Sequence, residues 1–303
     1  VSPEGVPATS RVLVTGSAGR MGRSVVTTLA AAGHEVIGVD SAPGTPRAAA
    51  ATLPADLTDL GEAHSVLTRF RPDAVVHLAA IAVPFGRTDA TTFRVNTQLA
   101  FNMCAASVAL EVPKLVVASS PTVMGYGAPG GWVPDYLPLD EEHPTRPWNV
   151  YSLSKLVAEQ TMGSYARSGT GTRMAAFRPC FVVAPEEWEG APTQSGHTLR
   201  ERLDEPAIGS VSLFNYLDAR DAGAFVDALL TGLPRLERNG EVFFAGAGDA
   251  LAREPLAELL PRFLPETKEP AEVLTGTAAA FSAAKAERLL GWTAQRSWRT
   301  ELA

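Results

Sequence analysis

The chain has 303 residues, 46% of them hydrophobic and 19% charged, the make-up of a globular protein with apolar mass for a sizeable core. Lysine and arginine total 26 against 33 acidic residues, and the formal charge of −7 with no long basic run excludes the electrostatic footprint of a nucleic-acid binder. No window is continuously apolar over the length a bilayer demands, and the opening VSPEGVPATS has neither a basic region nor an apolar stretch, so no membrane is expected and the cytoplasm is the default location.

From Arg11 to Ser119, short apolar runs alternate with amphipathic stretches: VLVT, a helix to Ala32, HEVIGVD, DAVVHLAA and KLVVASS. Strands alternating with helices predict an α/β fold with a doubly wound parallel sheet. Gly33 follows a run of helix formers and precedes a strand, as a C-terminal helix stop does. A long helix is expected from Thr88 to Leu110 and another from Asn149 to Ser168. Between them, Pro121 to Pro147 is rich in Pro, Gly and Trp and too long for an ordinary connection, which marks a functional loop. Beyond Arg178 the alternation is irregular, with helices near His197 to Leu203, Ala219 to Leu230, Pro255 to Phe263 and Ser282 to Leu290. Residues 11–178 therefore read as one domain and 179–303 as a smaller lobe interleaved with it, because TRMAAFR and SVSLFNYL are needed to complete or flank the sheet.

Gly16, Gly19 and Gly22, in VLVTGSAGRMG, follow a strand and open a helix. Glycines there permit a tight turn, close approach of a pyrophosphate and close helix-to-strand packing, while the helix N-terminus favours negative charge. Asp40 ends the next strand, eighteen residues after Gly22, where a carboxylate accepts hydrogen bonds from the adenosine ribose and repels a 2'-phosphate. NAD is thus expected over NADP. Arg20, Arg23 and Arg47 are the opposing signal, read here as solvated surface cations. Asp56, in ADLTD, either caps the following helix or contacts adenine, and Thr58 is the alternative cap.

Tyr151 and Lys155, in YSLSK, stand four residues apart and share one helix face. A neighbouring ammonium favours the phenolate, drawing a tyrosine toward the range useful for acid-base work. Cys104 and Cys180 are too few for a disulfide framework and read as small buried residues, and five scattered histidines show no ligand spacing, so no metal is expected.

With TGSAGRMG, YSLSK, HLAA at His77 to Ala80, VNT at Val95 to Thr97, VASSPTVMGYG from Val117, LDARD ending at Asp221 and AAKAERLLGW, the chain resembles the extended short-chain dehydrogenase/reductases, the NAD-dependent epimerase/dehydratase family, from Arg11 to Trp292. The resemblance implies a Rossmann-type sheet with a smaller C-terminal substrate-binding lobe, bound NAD and a homodimer built on the helices from Thr88 and Asn149. It makes Ser120 the catalytic serine by its register to the glycine of VMGYG, with Ser119 next. Tyr151 becomes the proton-transferring group, and Lys155 its depressor and the holder of the nicotinamide ribose. The implied cofactor contacts also run through Ala18, Arg20 and Met21 of the glycine loop, Asp56 and Leu57, Leu78 with the small Ala79 and Ala80, Asn96 and Pro179. Asn96 has a helix-surface amide as its alternative, and His77 is expected to pack at a strand end.

The substrate side departs from the family pattern. Phe181 stands where nucleotide-sugar members carry an asparagine, and Phe214 falls where they carry a diphosphate-gripping arginine. The segment from Pro185 to Val211 is short for a nucleotide cradle. Arg200, Arg202 and Arg220 offer other routes to an anion. Trp132, Tyr136 and Trp148 either stack on a substrate or pin the loop, with Ser120, Phe181 and Trp132 the expected substrate contacts; Asp140, Glu141 and Glu142 are read as solvated. Three functions follow: an NAD-dependent oxidoreductase of a sugar-derived or other small polyhydroxylated alcohol or ketone, an epimerase or dehydratase with transient oxidation, and a non-catalytic dinucleotide sensor. Intact Ser120, Tyr151 and Lys155 count against the last.

Overall fold

The computed structural model describes residues 9–303, so what was expected of the opening run falls almost wholly outside the described residues. The strands are β1 (Arg11–Thr15), β2 (Glu35–Asp40), β3 (Ala51–Pro54), β4 (Ala74–His77), β5 (Lys114–Ala118), β6 (Arg173–Pro179), β7 (Val182–Val183), β8 (Leu217–Asp218) and β9 (Glu241–Ala245). Seven form one sheet in the order β3-β2-β1-β4-β5-β6-β9, every pairing parallel. β1–β2, β3–β4, β4–β5 and β5–β6 are joined through helices, α1 (Arg20–Ala31), α2 (Leu60–Phe70), α3 (Asp89–Ala109) and α4 (Val150–Arg167), while β2 reaches β3 through residues 41–50 without a helix. A parallel sheet is covered on both faces, which is why the central strands read as unbroken apolar runs.

One core joins the sheet to α1 and the helix Ala219–Gly232; the other joins it to α2, α3 and α4. At Gly223 a Cβ would stand 2.5 Å from Thr28 Oγ1, so glycine lets that helix close on α1. The chain winds outward from β1 on one side and from β4 on the other, and this switch point opens a crevice at the strand carboxyl ends.

Two expectations change. SVSLFNYL does not extend the sheet: Leu213 and Phe214 take left-handed backbone angles (φ 51° and 56°), and only Leu217–Asp218 pairs, with β7 in a separate two-stranded sheet. The closing strand is β9, EVFFA, which pairs with β6. β6 runs to Pro179, and β9 comes from the segment beyond it. Glu141 is not solvated either, since its Oε1 accepts the Phe244 N–H at 2.6 Å and burial raises its pKa. Among the described residues no helix is long and apolar enough to cross a membrane.

Candidate active site

The crevice is a cavity of about 1080 Å³ lined from the glycine loop to Asn215. Gly16 has φ 68°, and a Cβ there would lie 2.7 Å from the Ala79 nitrogen; a Cβ on Gly22 would lie 2.0 Å from the Gly16 carbonyl. These two positions admit no side chain. Gly19 caps α1 without any side-chain acceptor, so the first N–H groups of the helix face the cavity unclaimed by a cap. Asp40 at the end of β2 accepts the Ala18 and Ala42 N–H groups at 3.0 Å each, and its carboxylate borders the cavity. Loop, helix terminus and carboxylate fit a dinucleotide.

Of the three arginines that could have favoured a 2'-phosphate, Arg20 is paired with Glu187 and also reaches the Val182 carbonyl, Arg23 pairs with Glu186, and Arg47 is exposed off the cavity wall. Asp56 accepts from the Thr58 N–H and hydroxyl, which lowers its pKa, while Asp59 caps α2 by accepting the Glu62 N–H. Neither Asp56 nor Thr58 is the helix cap; Asp56 and Leu57 do line the cavity.

At the end of β4, Thr15 Oγ1 lies 2.8 Å from His77 Nδ1 and accepts the Leu78 and Ala79 N–H groups at 3.2 Å. Burial drives the His77 pKa down to about 3, so it is a neutral packing residue. Leu78, Ala79 and Ala80 border the cavity, as do Ala18, Met21 and Pro179. Asn96 does not. It is buried, exchanging two bonds with the Ile81 backbone and donating to Ser154 Oγ at 3.0 Å, so it is neither a surface amide nor a wall residue but a tether between the β4 loop and α4.

Ser119 and Ser120 follow β5 and diverge. The Ser119 hydroxyl donates to Glu159 at 2.5 Å. Ser120 Oγ accepts from Thr122 Oγ1 at 2.9 Å and from the Thr122 N–H at 3.3 Å, which leaves its own proton to donate on the cavity side, where Tyr151 is its partner in the resting site. Asn149 caps α4 by accepting the Ser152 N–H at 2.9 Å, setting Tyr151 and Lys155 in the first turns of the helix. Both are buried on the cavity wall.

The electrostatics differ from the sequence expectation. Burial raises the Tyr151 pKa to about 12, with a hydrogen bond from Ser120 acting in the opposite direction. Burial lowers that of Lys155 to about 8, opposed by the charge of Glu159, and Lys155 Nζ donates to the Ala118 carbonyl at 3.0 Å. Desolvation of the phenol thus dominates, the lowering expected from Lys155 does not show among its causes, and the resting pair at neutral pH is a phenol and an ammonium.

The long loop closes on itself more than on the cavity. Trp132 is 7% exposed, donates from Nε1 to the Met124 carbonyl at 2.8 Å and meets Tyr126 edge-on at 6.2 Å, so it pins the loop and is not a substrate contact. Tyr136 bonds Asp140 off the cavity wall. Trp148 does border the cavity, 6.0 Å from the ring of Phe85, which is 72% exposed and escapes sequence reading. Phe181 lines the wall with its N–H donated to Asn215 Oδ1 at 2.7 Å, whereas Phe214 is buried against Phe263, off the cavity wall. Arg220 is tied to Asp218 and Glu301, and Arg200 reaches the Leu302 carbonyl; of the three only Arg202 borders the cavity. Two residues were legible but missed: Thr122, two after Ser120, and Glu159, which continues the four-residue spacing of Tyr151 and Lys155.

A family model described as NAD dependent epimerase/dehydratase family matches residues 12–235. The UDP-glucose 4-epimerase of Azospirillum brasilense is 35% identical over 194 residues, covering 62% of this chain and 53% of that protein. The L-arabinose 1-dehydrogenase (NAD(P)(+)) of Haloferax volcanii is 29% identical over 203 residues, 65% of this chain and 72% of that one. The chain spans about half the length of the first curated relatives it matches. Among solved structures, the UDP-glucose-4-epimerase of Stenotrophomonas maltophila with bound NAD and formylated UDP-arabinopyranose superposes with a TM-score of 0.73 at 23% identity, covering 97% of this chain and 96% of that one, a likeness of fold.

Proposed function

This chain belongs to the NAD-dependent epimerase/dehydratase family, and we propose that it is an oxidoreductase transferring hydride between NAD and a secondary alcohol or ketone of a small, sugar-derived substrate. The observation that carries this reading is the meeting of Ser120, Tyr151 and Lys155 with the dinucleotide cradle on one cavity wall. NAD, when bound, supplies the hydride acceptor and donor. The glycine loop from Gly16 to Gly22 and the start of α1 would hold its pyrophosphate, and Asp40 its adenosine ribose. Ser120, its acceptor positions filled by Thr122, donates to the substrate oxygen and steadies charge there. Tyr151 takes the hydroxyl proton in oxidation and returns it in reduction. Lys155, anchored on the Ala118 carbonyl, supplies the cation beside the phenol and the nicotinamide ribose.

Incubation of NAD-loaded protein with candidate substrates, read at the nicotinamide absorbance, tests this. Net NADH formation that Tyr151→Phe abolishes supports it; undiminished turnover in that variant overturns the assignment. The relatives named UDP-glucose 4-epimerase favour a second reading, transient oxidation by tightly held NAD, which product isomerisation without net NADH would select. Tighter binding of a 2'-phosphorylated cofactor than of NAD would overturn the role given to Asp40.

We also infer a homodimer through α3 and α4. Phe93 and Phe101, two helical steps of four apart on α3, and Leu153 on α4 are exposed apolar side chains on these neighbouring helices. The two buried free thiols, Cys104 and Cys180, accord with a reducing, cytoplasmic setting.

A further inference from the structure

The cavity has two flanks. Asp40 and Asp56 border it on the side of β2 and β3, where the adenosine end belongs. On the β6 side the wall comes from Thr122, Phe181, Gln194, Ser195, Ser212 and Asn215, all uncharged, together with Arg202; Arg20, which also borders the cavity, is paired with Glu187.

Arg202 is 3% exposed on the helix Leu199–Asp204. Its guanidinium lies over the Phe181 ring, 4.3 Å from the centroid, and Nη2 donates to Ser212 Oγ at 3.0 Å. Among the described residues its Nε is buried without a hydrogen-bond partner and its guanidinium has no ion-pair partner. Arg178, also a buried arginine, is neutralised by Glu159, which accepts two hydrogen bonds from its guanidinium. A buried cation without a counter-charge is costly, and burial alone pulls this guanidinium down to about 10, with Glu187 offsetting it only by attraction at a distance. An anion entering the cavity would remove that cost.

We propose that Arg202 receives the carboxylate of the substrate, which makes the substrate a polyhydroxylated monocarboxylate, a sugar acid. Its hydroxyls meet Thr122, Gln194 and Ser195 while its carbinol faces Tyr151. A guanidinium edge matches a planar carboxylate, and the aromatic face of Phe181 holds the fork in one plane. A nucleoside diphosphate fits worse. It brings two charged groups to Arg202, while among the described residues Arg220 is committed to Asp218 and Glu301 and Arg20 to Glu187. The inference rests on the hydride chemistry proposed above for the same site.

The test separates binding from turnover. NAD-loaded Tyr151→Phe protein is titrated calorimetrically with glucuronate and gluconate, with glucose as the neutral control and UDP-glucose as the diphosphate control. At least one acid is expected to bind on the order of 10- to 100-fold more tightly than glucose, the range of one charge-assisted hydrogen bond. Arg202→Met in the same background removes that advantage, and Arg202→Lys, which keeps charge without the fork, restores part of it. Tighter binding of glucose or UDP-glucose than of both acids, no binding of either acid, or unchanged acid affinity in Arg202→Met overturns the inference. If Arg202→Met does not fold, the ligand order and the Arg202→Lys titration decide. Acids that bind yet yield no NADH with Tyr151 intact would sink the hydride reading and leave Arg202 standing. NADH formed only from a neutral sugar or UDP-glucose would do the reverse.

Discussion

Glu159 takes the Nε and Nη2 protons of Arg178 at 2.8 Å each, one helical turn beyond Lys155. The same carboxylate accepts the Ser119 hydroxyl, so one buried group ties α4 to β6 and to the end of β5. Glu159→Ala leaves the guanidinium buried and unpaired and is expected to cost about 3–5 kcal/mol of stability. Urea denaturation measures this, and a loss under about 1 kcal/mol would show that the pair does not hold the fold. Because the charge of Glu159 props up Lys155, Glu159→Gln should also move the Lys155 ionisation further below about 8.

The two adjacent serines should respond differently. Ser120→Ala removes the donor aimed into the cavity, and kcat/KM is expected to fall on the order of 10²–10³ with the melting temperature little changed. Ser119→Ala removes a bond to the buried carboxylate, so its loss should appear in stability, about 1.5–3 kcal/mol, with the larger share of turnover retained. The reverse pattern in paired kinetics and melting curves would exchange their roles.

The pH dependence has a definite sign. Oxidation needs the phenolate of Tyr151, whose pKa is raised to about 12, so between pH 6 and 8 its kcat/KM should climb about tenfold per unit. Above about 8 Lys155 loses its proton and the climb flattens. Reduction needs the protonated phenol and the ammonium, both present below about 8, so it should be level from pH 6 to 8 and then decline. A level oxidation profile over pH 6 to 8 would count against Tyr151 as the group that titrates.

If α3 and α4 form the dimer face, Phe101→Glu puts a charge into an apolar contact. Sedimentation should then shift from dimer to monomer at micromolar concentration. A monomeric parent protein, or a dimer indifferent to this change, removes the expectation.

Much of this protein was written locally. The apolar runs of β1, β2, β4 and β5, the stops at Gly33, the glycine loop, and the i, i+4 spacing of Tyr151 and Lys155 are short-range patterns, and short-range sterics and periodicity decide them. The sequence also placed helices α3 and α4 to within a residue or two, each opening after a residue suited to the cap position, Thr88 and Asn149. What it left open depends on which distant groups meet. Ser119 and Ser120 are neighbours of one chemical type, and only the approach of Glu159 from α4 separates them. Trp132 could have stacked on a ligand until Met124 and Tyr126 enclosed it. Three arginines were equal candidates for an anion until Asp218, Glu301 and a backbone carbonyl claimed two of them and left Arg202 without a counter-charge. Burial moved the Tyr151 ionisation in the direction opposite to that implied by its spacing to Lys155, and burial is a property of the whole packed fold, which no four-residue spacing can state.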